Sequence, residues 1–292
     1  MVFHPPVAIV AKAADAGKYK VGIPAWNMVL RGFMAGAYIA MGGALATMCS
    51  AGIQASDAAL RYGTASAGFS QLITGAVFPV GLIIIVLTGA ELFTGDAMLA
   101  PMAAFIHKIS WAQVLNLWVW VYIGNLIGSL FYAYLMANGP FVSINAAGVV
   151  ASNAFGARAI AIAVGKVSYV SMIGQYSAFL KAIGCNWLVN LAVLLGICAD
   201  DLIGKFFGIW FPIMAFVSSG FEHCVANMYF IPAGIWTQGY LADPTTINAG
   251  LNWVTMWTNN LVIVTIGNIV GGLVFVGVIY WVAFRKEIAA LK

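Results

Sequence analysis

Two long apolar runs in this chain each carry a carboxylate near the middle. FPVGLIIIVLTGAELFTGDAM begins at Phe78 and FPIMAFVSSGFEHCVANMYF begins at Phe211. Runs of about 20 apolar residues read as membrane spans, because that length of helix covers the hydrocarbon layer. Hydrocarbon offers backbone N–H and C=O groups no partner, so a break in such a helix must meet protein or a water-filled cavity. In both runs a Gly, a Glu and a polar cluster interrupt the pattern at equivalent points, placing Glu91 and Glu222 in matching breaks with His223 beside the second. An intramembrane acid marks a functional site by default. Paired broken helices in two related halves point to a binding site near the bilayer midplane.

Composition fits the same class. The chain is 63% hydrophobic and 8% charged, where soluble domains carry roughly 25% charge. Apolar windows of membrane length give six spans, at about 28–50, 70–105, 112–137, 175–200, 205–235 and 253–284, the second and fifth being the interrupted ones. With the N-terminus inside, Lys12, Lys18, Lys20, Arg31, Lys108, Lys205, Arg285, Lys286 and Lys292 fall on the cytoplasmic side, and Arg61, Arg158, Lys166 and Lys181 outside. Nine against four of the thirteen basic residues places both termini in the cytoplasm by the positive-inside rule. The net charge of +4 is thus a topology signal, with nothing to suggest nucleic acid. No charged segment followed by an apolar stretch and a small-residue cleavage site opens the chain, so a cleaved signal peptide is not expected. Cys49, Cys185, Cys198 and Cys224 are scattered and read as packing residues. Trp111, Trp118, Trp120, Trp187, Trp253, Trp257 and Trp281 fall mostly near span ends, as an interfacial belt does.

The repeat extends past the broken helices. YIGNLIGSL (122–130) follows the first and TIGNIVGGL (265–273) the second, and both contain GNxxG. Glycines four apart lie on one helix face and allow close helix approach, which is the reading for Gly124, Gly128, Gly267 and Gly271. RGFMAGAYIAMGGAL from Arg31 loosely parallels KAIGCNWLVNLAVLL from Lys181. Each half then holds three spans, and an odd number inverts one half against the other. The expected fold is an all-α integral membrane protein: a cytoplasmic segment 1–27, a three-helix repeat 28–137, a linker 138–174, a second repeat 175–284 and a cytoplasmic tail 285–292.

TGAELFTG, CNWLV and above all SGFEHCVANMYFIPAG resemble the formate/nitrite transporter family, in order through all six spans from roughly Ala25 to Ala283. The resemblance implies an aquaporin-like fold, a homopentamer with one pore per protomer in the cell membrane, and passage of a small monovalent anion coupled to or gated by protons. It makes Phe78 and Phe216 an outer apolar constriction and Leu82, Leu92 and Val189 an inner one. It further implies that Leu92, Phe93 and Thr94 line the cytoplasmic constriction, that Asn186 faces the central His223, and that Lys166 attracts anions in the outer vestibule, Lys181 being the competing position. Formate leads the expected substrates, with nitrite and hydrosulfide as alternatives.

The chemistry is coherent with those residue types. Moving one charge through a dry constriction costs several kcal/mol even after relaxation. Aligned helix dipoles, or a donated proton, lower that cost. His223 is the only histidine inside a span, and an imidazole titrates near physiological pH. Glu91 and Glu222 read either as acceptors bracing the freed backbone N–H groups or as proton relays. Thr94 can donate its hydroxyl to an anion, or bond back to its own backbone. A neutral-solute channel with paired Asn-Pro-Ala loops is disfavoured, because none of Pro79, Pro101, Pro212 and Pro232 follows an Asn. One intramembrane His with no second His or acidic partner at helical spacing supplies neither a nucleophile–base pair nor a metal set, so no enzymatic activity and no cofactor are expected.

Overall fold

The computed structural model describes residues 3–55 and 65–290; Arg61 and Lys292, used in the charge count, lie outside the described residues. Helix α1 (Pro6–Val21) opens with proline at its first position and buries Val10, Ala13, Ala14 and Gly17, a 3–4 spacing that makes one apolar stripe. The stripe lies on α5 (Phe93–Phe105), where a Cβ at Gly17 would collide with Leu99 O. The other helices of the first half are α2 (Ala25–Ala55), α3 (Ala65–Val77), α4 (Val80–Thr88) and α6 (Trp111–Asn138). A short antiparallel hairpin, β1 (Val142–Ile144) with β2 (Val150–Ser152), leads to α7 (Ala154–Lys166). Then come α8 (Met172–Cys198), α9 (Leu202–Ser218), α10 (Cys224–Gln238) and a long α11 (Trp253–Ala290). The stretch 138–174, a linker by sequence, thus contains a hairpin and a 13-residue helix.

Five stretches among the described residues are long and apolar enough to cross a membrane: Ala25–Ala51, Gly68–Thr88, Trp111–Asn138, Met172–Cys198 and Trp253–Ala290. Helix α9 is apolar but only 17 residues long, because its span breaks in the middle. The polar residues that start these helices are the ones such positions favour. Ser110 and Gln113 form a reciprocal cap on α6, and Asn153, Ser171 and Asp201 cap α7, α8 and α9.

The GNxxG glycines sit where helices touch. On α6, a Cβ at Gly128 would collide with Phe33 O of α2; on α11, one at Gly271 would lie 2.5 Å from Ile183 O of α8. Side chains such as Leu115, Phe131, Leu202 and Val262 remain exposed, as a surface facing lipid or other subunits requires. Helix α11 is not uniform: two wider, π-type turns occupy Trp257–Leu261 and Leu273–Val278.

Candidate functional site

Both predicted interruptions are present. Helix α4 ends at Gly89, whose φ of +76° is left-handed, and α9 is followed by Gly220 at +67°. Only glycine takes that conformation freely, so the Gly of each G-x-E stops its half-helix. The chain then runs extended to Leu92 and His223, the residues that precede α5 and α10.

The freed backbone groups find the same partners in both breaks. Phe93 N donates to Asn125 Oδ1 (3.0 Å), and Asn125 Nδ2 donates to Glu91 O and Gly32 O (2.9 Å each). In the second break Cys224 N donates to Asn268 Oδ1 (2.8 Å), while Asn268 Nδ2 donates to Glu222 O (2.9 Å) and Ala182 O (2.8 Å). Glu91 N and Glu222 N complete the pattern by donating to Arg31 O (3.2 Å) and Lys181 O (3.4 Å). The bracing expected of the Glu carboxylates is therefore done by Asn125 and Asn268, the N of GNxxG. A carboxylate only accepts, whereas an amide both accepts and donates and so satisfies an N–H and a C=O together. A neutral amide also avoids the desolvation cost of a buried charge.

Thr94 and His223 meet between the two breaks. Thr94 Oγ1 lies 2.9 Å from His223 Nε2, and both residues are buried. His223 caps α10 by accepting from Ala226 N at its Nδ1 (3.1 Å). With Nδ1 engaged as an acceptor, the neutral ring carries its proton on Nε2 and donates toward Thr94 Oγ1. Thr94 is in turn held by its carbonyl, which accepts from Asn186 Nδ2 (3.1 Å) and Asn190 Nδ2 (3.0 Å). Asn186 Nδ2 also reaches Asn268 O at 2.6 Å. Asn186 and Asn190 thus position Thr94, and each leaves its Oδ1 buried without a hydrogen bond.

Two cavities flank this centre. One of about 130 Å³, called outer after the orientation expected from sequence, is bordered by Phe78, Phe216, His223, Asn227, Arg158 and Lys166. The other, of about 330 Å³ and called inner on the same expectation, is bordered by Leu82, Leu92, Glu91, Asp96, Lys20 and Lys205. Between them Ile39, Phe78, Leu82, Leu92, Val189, Ile213, Phe216 and His223 enclose a void too small for a water molecule. The two constrictions distinguished by sequence therefore border one closed apolar segment, to which Ile39 and Ile213 also belong. Phe78 and Phe216 close it edge to face, ring centroids 5.8 Å apart, and Phe216 stacks on His223 at 5.8 Å. Phe93 departs from expectation. As the first residue of α5 it turns away from Thr94 and packs on Tyr122 and Trp118 of α6, at 5.0 and 6.0 Å.

Each Glu faces cations instead of the break. Glu222 Oε1 accepts from Lys166 Nζ (2.8 Å) and Tyr169 OH (2.9 Å); Oε2 accepts from Asn227 (2.7 Å) and Asn260 (3.3 Å). Asn260 lies in the first π-type turn of α11, a distortion common at functional sites. Burial and the Glu222 charge push the Tyr169 phenol upward. Lys181 bonds Tyr169 OH at 3.2 Å, so of the two candidate lysines it is Lys166 that borders the outer cavity. On the inner side Lys20 of α1 pairs with Glu91, and Arg31 stands 3.7 Å from the same carboxylate. Lys20 Nζ is also 3.0 Å from Asp96 Oδ1, an ion-pair contact without hydrogen-bond geometry. Burial opposes the Lys20 charge, but Asp96 and Glu91 outweigh it and hold the ammonium above its ordinary value. Among the described residues no cluster of His, Cys, Asp and Glu has the arrangement of a metal site.

Sequence reading missed Asn125, Asn268, Asn260 and Lys20. For the first two a signal existed: an Asn in the same place of two apolar helices needs a buried partner. Nothing in the sequence marks Asn260 or Lys20, whose roles depend on contacts between distant segments.

The formate/nitrite transporter family profile matches residues 7–282. A "probable formate transporter" from Methanothermobacter thermautotrophicus is 42% identical over 284 residues, covering 95% of this chain and 96% of its own. The formate channel BtFdhC of Bacillus thuringiensis is 36% identical over 292 residues, 100% of both chains. A solved pentameric formate channel with formate bound is 34% identical and superposes with a TM-score of 0.72, over 90% of this chain and 98% of that one. The likeness runs through both broken helices and the near-full length of each relative, and on it the chain belongs to the formate/nitrite transporter family of multi-pass membrane proteins.

Proposed function

We propose that this chain carries a small monovalent anion, formate first, along a path from the outer cavity past Thr94 and His223 to the inner one. The observation that carries the reading is the 2.9 Å contact between Thr94 Oγ1 and His223 Nε2 inside an apolar segment. Thr94 is in the first turn of α5 and His223 caps α10, so two helix N-termini meet where the path is driest. Helix N-termini favour negative charge. The Nε2–H of His223 donates to Thr94 Oγ1, which leaves the Thr94 hydroxyl proton as the donor for formate, and this chain of hydrogen bonds replaces part of the hydration that formate leaves behind. The Phe78–Phe216 and Leu82–Leu92–Val189 side chains exclude hydrated ions by dewetting.

The reading includes pH control at His223. Protonating the ring at Nδ1 displaces the Ala226 N–H from its cap, which links the charge of the imidazole to the shape of the second break. It also includes the inverted repeat, 28–137 against 175–284 about the linker 138–174, with both termini cytoplasmic. The paired roles of Asn125 and Asn268, Glu91 and Glu222, and Lys20 and Lys166 support that symmetry. A homopentamer in the cell membrane is supported by the pentameric relative. The relatives' names favour formate over nitrite or hydrosulfide.

The test is radiolabelled formate flux into proteoliposomes across a pH series, with nitrite and hydrosulfide as competitors. Wild type should carry formate with a pH-dependent rate. His223→Phe keeps a ring but removes both nitrogens and should abolish the pH-dependent component. His223→Asn keeps a donor that does not titrate and should restore passage without pH control. A His223→Phe flux that tracks pH as wild type does would refute the assignment.

A further inference from the structure

Lys20, Arg31 and Lys205 border the inner cavity, and the first two answer to carboxylates. Lys20 pairs with Glu91 and stands 3.0 Å from Asp96, while Arg31 lies 3.7 Å from Glu91. To an approaching anion such a pair is a dipole, and its field falls faster with distance than that of a single charge. Lys205 is held differently. Its ammonium donates at 2.7 Å to Gly196 O, a neutral carbonyl, and among the described residues no carboxylate is paired with it. Its charge is therefore the one that the acids of this cavity leave uncompensated.

The fold keeps that charge in place. Lys205 stands in the first turn of α9, where the helix dipole disfavours a cation, so its own helix gives no reason for it. It reaches back to the last turn of α8, whose final carbonyls have no partner within the helix. Three residues on, a Cβ at Gly208 would stand 3.2 Å from Leu195 Cβ, so α9 lies close on α8. An ammonium has three N–H donors, and the bond to Gly196 O uses one of them. The same cavity runs from Lys205 to Leu82 and Leu92, which also enclose the closed apolar segment.

We propose that Lys205 is the docking residue of the inner mouth, holding a monovalent anion such as formate beside the closed segment and so setting the concentration at which carriage from that face saturates. This rests on reading the two cavities as the ends of one anion path, with the dry segment between them as its barrier.

The experiment is initial-rate formate flux in right-side-out and inverted membrane vesicles, at equal pH on both sides and no membrane potential, over a concentration series at low and high salt. Lys205→Gln removes the charge and keeps an N–H donor for Gly196 O. From the inner face it should raise the half-saturating formate concentration about fivefold at low salt, the effect of one charge about 4 Å away at the dielectric of water. Half-saturation from the outer face should stay at wild type. Flux at low concentration should also stay, because losing a binding well at the mouth leaves the central barrier where it was; the maximal rate from the inner face then rises with half-saturation. The gap should close toward about 1 M salt, where the screening length is about 3 Å. Lys205→Arg keeps the charge and should keep the wild-type values. Inner half-saturation unchanged in Lys205→Gln overturns the proposal, and so does an arginine variant that behaves as the glutamine one. Low-concentration flux lost in both directions with half-saturation unmoved would mark a structural role and overturn it too. If Lys205→Gln does not assemble, the salt series on wild type decides: an inner half-saturation that does not rise with salt overturns the docking. Wild type that carries no formate in either orientation would instead sink the functional reading itself.

Discussion

Removing the Asn268 side chain is expected to cost more than membrane hydrogen bonds usually do. Interhelical side-chain bonds in membranes average only about 0.6 kcal/mol, because the groups they serve find other partners. The groups served here are the backbone ends of a broken helix. Asn268→Ala strips the partner from Cys224 N–H and from Glu222 C=O. Ala182 O, inside α8, keeps its helical partner and counts for little. Each buried orphan costs roughly 1–3 kcal/mol, so the two together predict about 2–6 kcal/mol. At about 2–4 °C per kcal/mol, thermal unfolding in detergent should fall by roughly 5–20 °C. Asn268→Asp retains an acceptor for Cys224 N–H and should recover part of the loss. Asn125→Ala should behave as Asn268→Ala does, since Asn125 serves Phe93 N–H and Glu91 C=O. A drop of no more than about 2 °C in both alanine variants, equivalent to one ordinary membrane hydrogen bond, would refute the claim that these amides brace the breaks.

Two further outcomes follow from packing. Phe78→Ala or Phe216→Ala opens the edge-to-face pair and should raise liposome permeability to larger anions such as lactate, since dewetting weakens as a constriction widens; unchanged selectivity in both variants would make the rings ordinary packing. Gly128→Ala drives a methyl into Phe33 O and should destabilise by about 1–3 kcal/mol in thermal unfolding, whereas Gly165→Ala, with nothing near its added carbon, should be close to neutral.

Where sequence and structure part company, the reason is the range of the interaction. The helix breaks at Glu91 and Glu222 were legible because the signals are local: a glycine two residues before each Glu, set in an apolar run. The GNxxG contacts were legible because spacing alone puts both glycines on one face. The Asn between them was passed over, as its importance shows only when its amide reaches the neighbouring break, 32 residues away for Phe93 and 44 for Cys224. Phe93 shows the converse failure. Adjacent to Thr94 in sequence, it points to α6, because successive residues of a helix turn about 100° apart.

The sequence by itself determined that this chain lives in a membrane, where its spans break, and which family it joins, for these depend on apolar length, on backbone-breaking residues and on motif strings. Only the tertiary structure decided what each polar side chain does there. It gave the carboxylates of Glu91 and Glu222 to Lys20 and Lys166, the broken backbone to Asn125 and Asn268, and the centre to Thr94 and His223. The physical reason is that a buried polar group must be satisfied by whatever lies within about 3 Å, and that neighbour is set by how the helices pack.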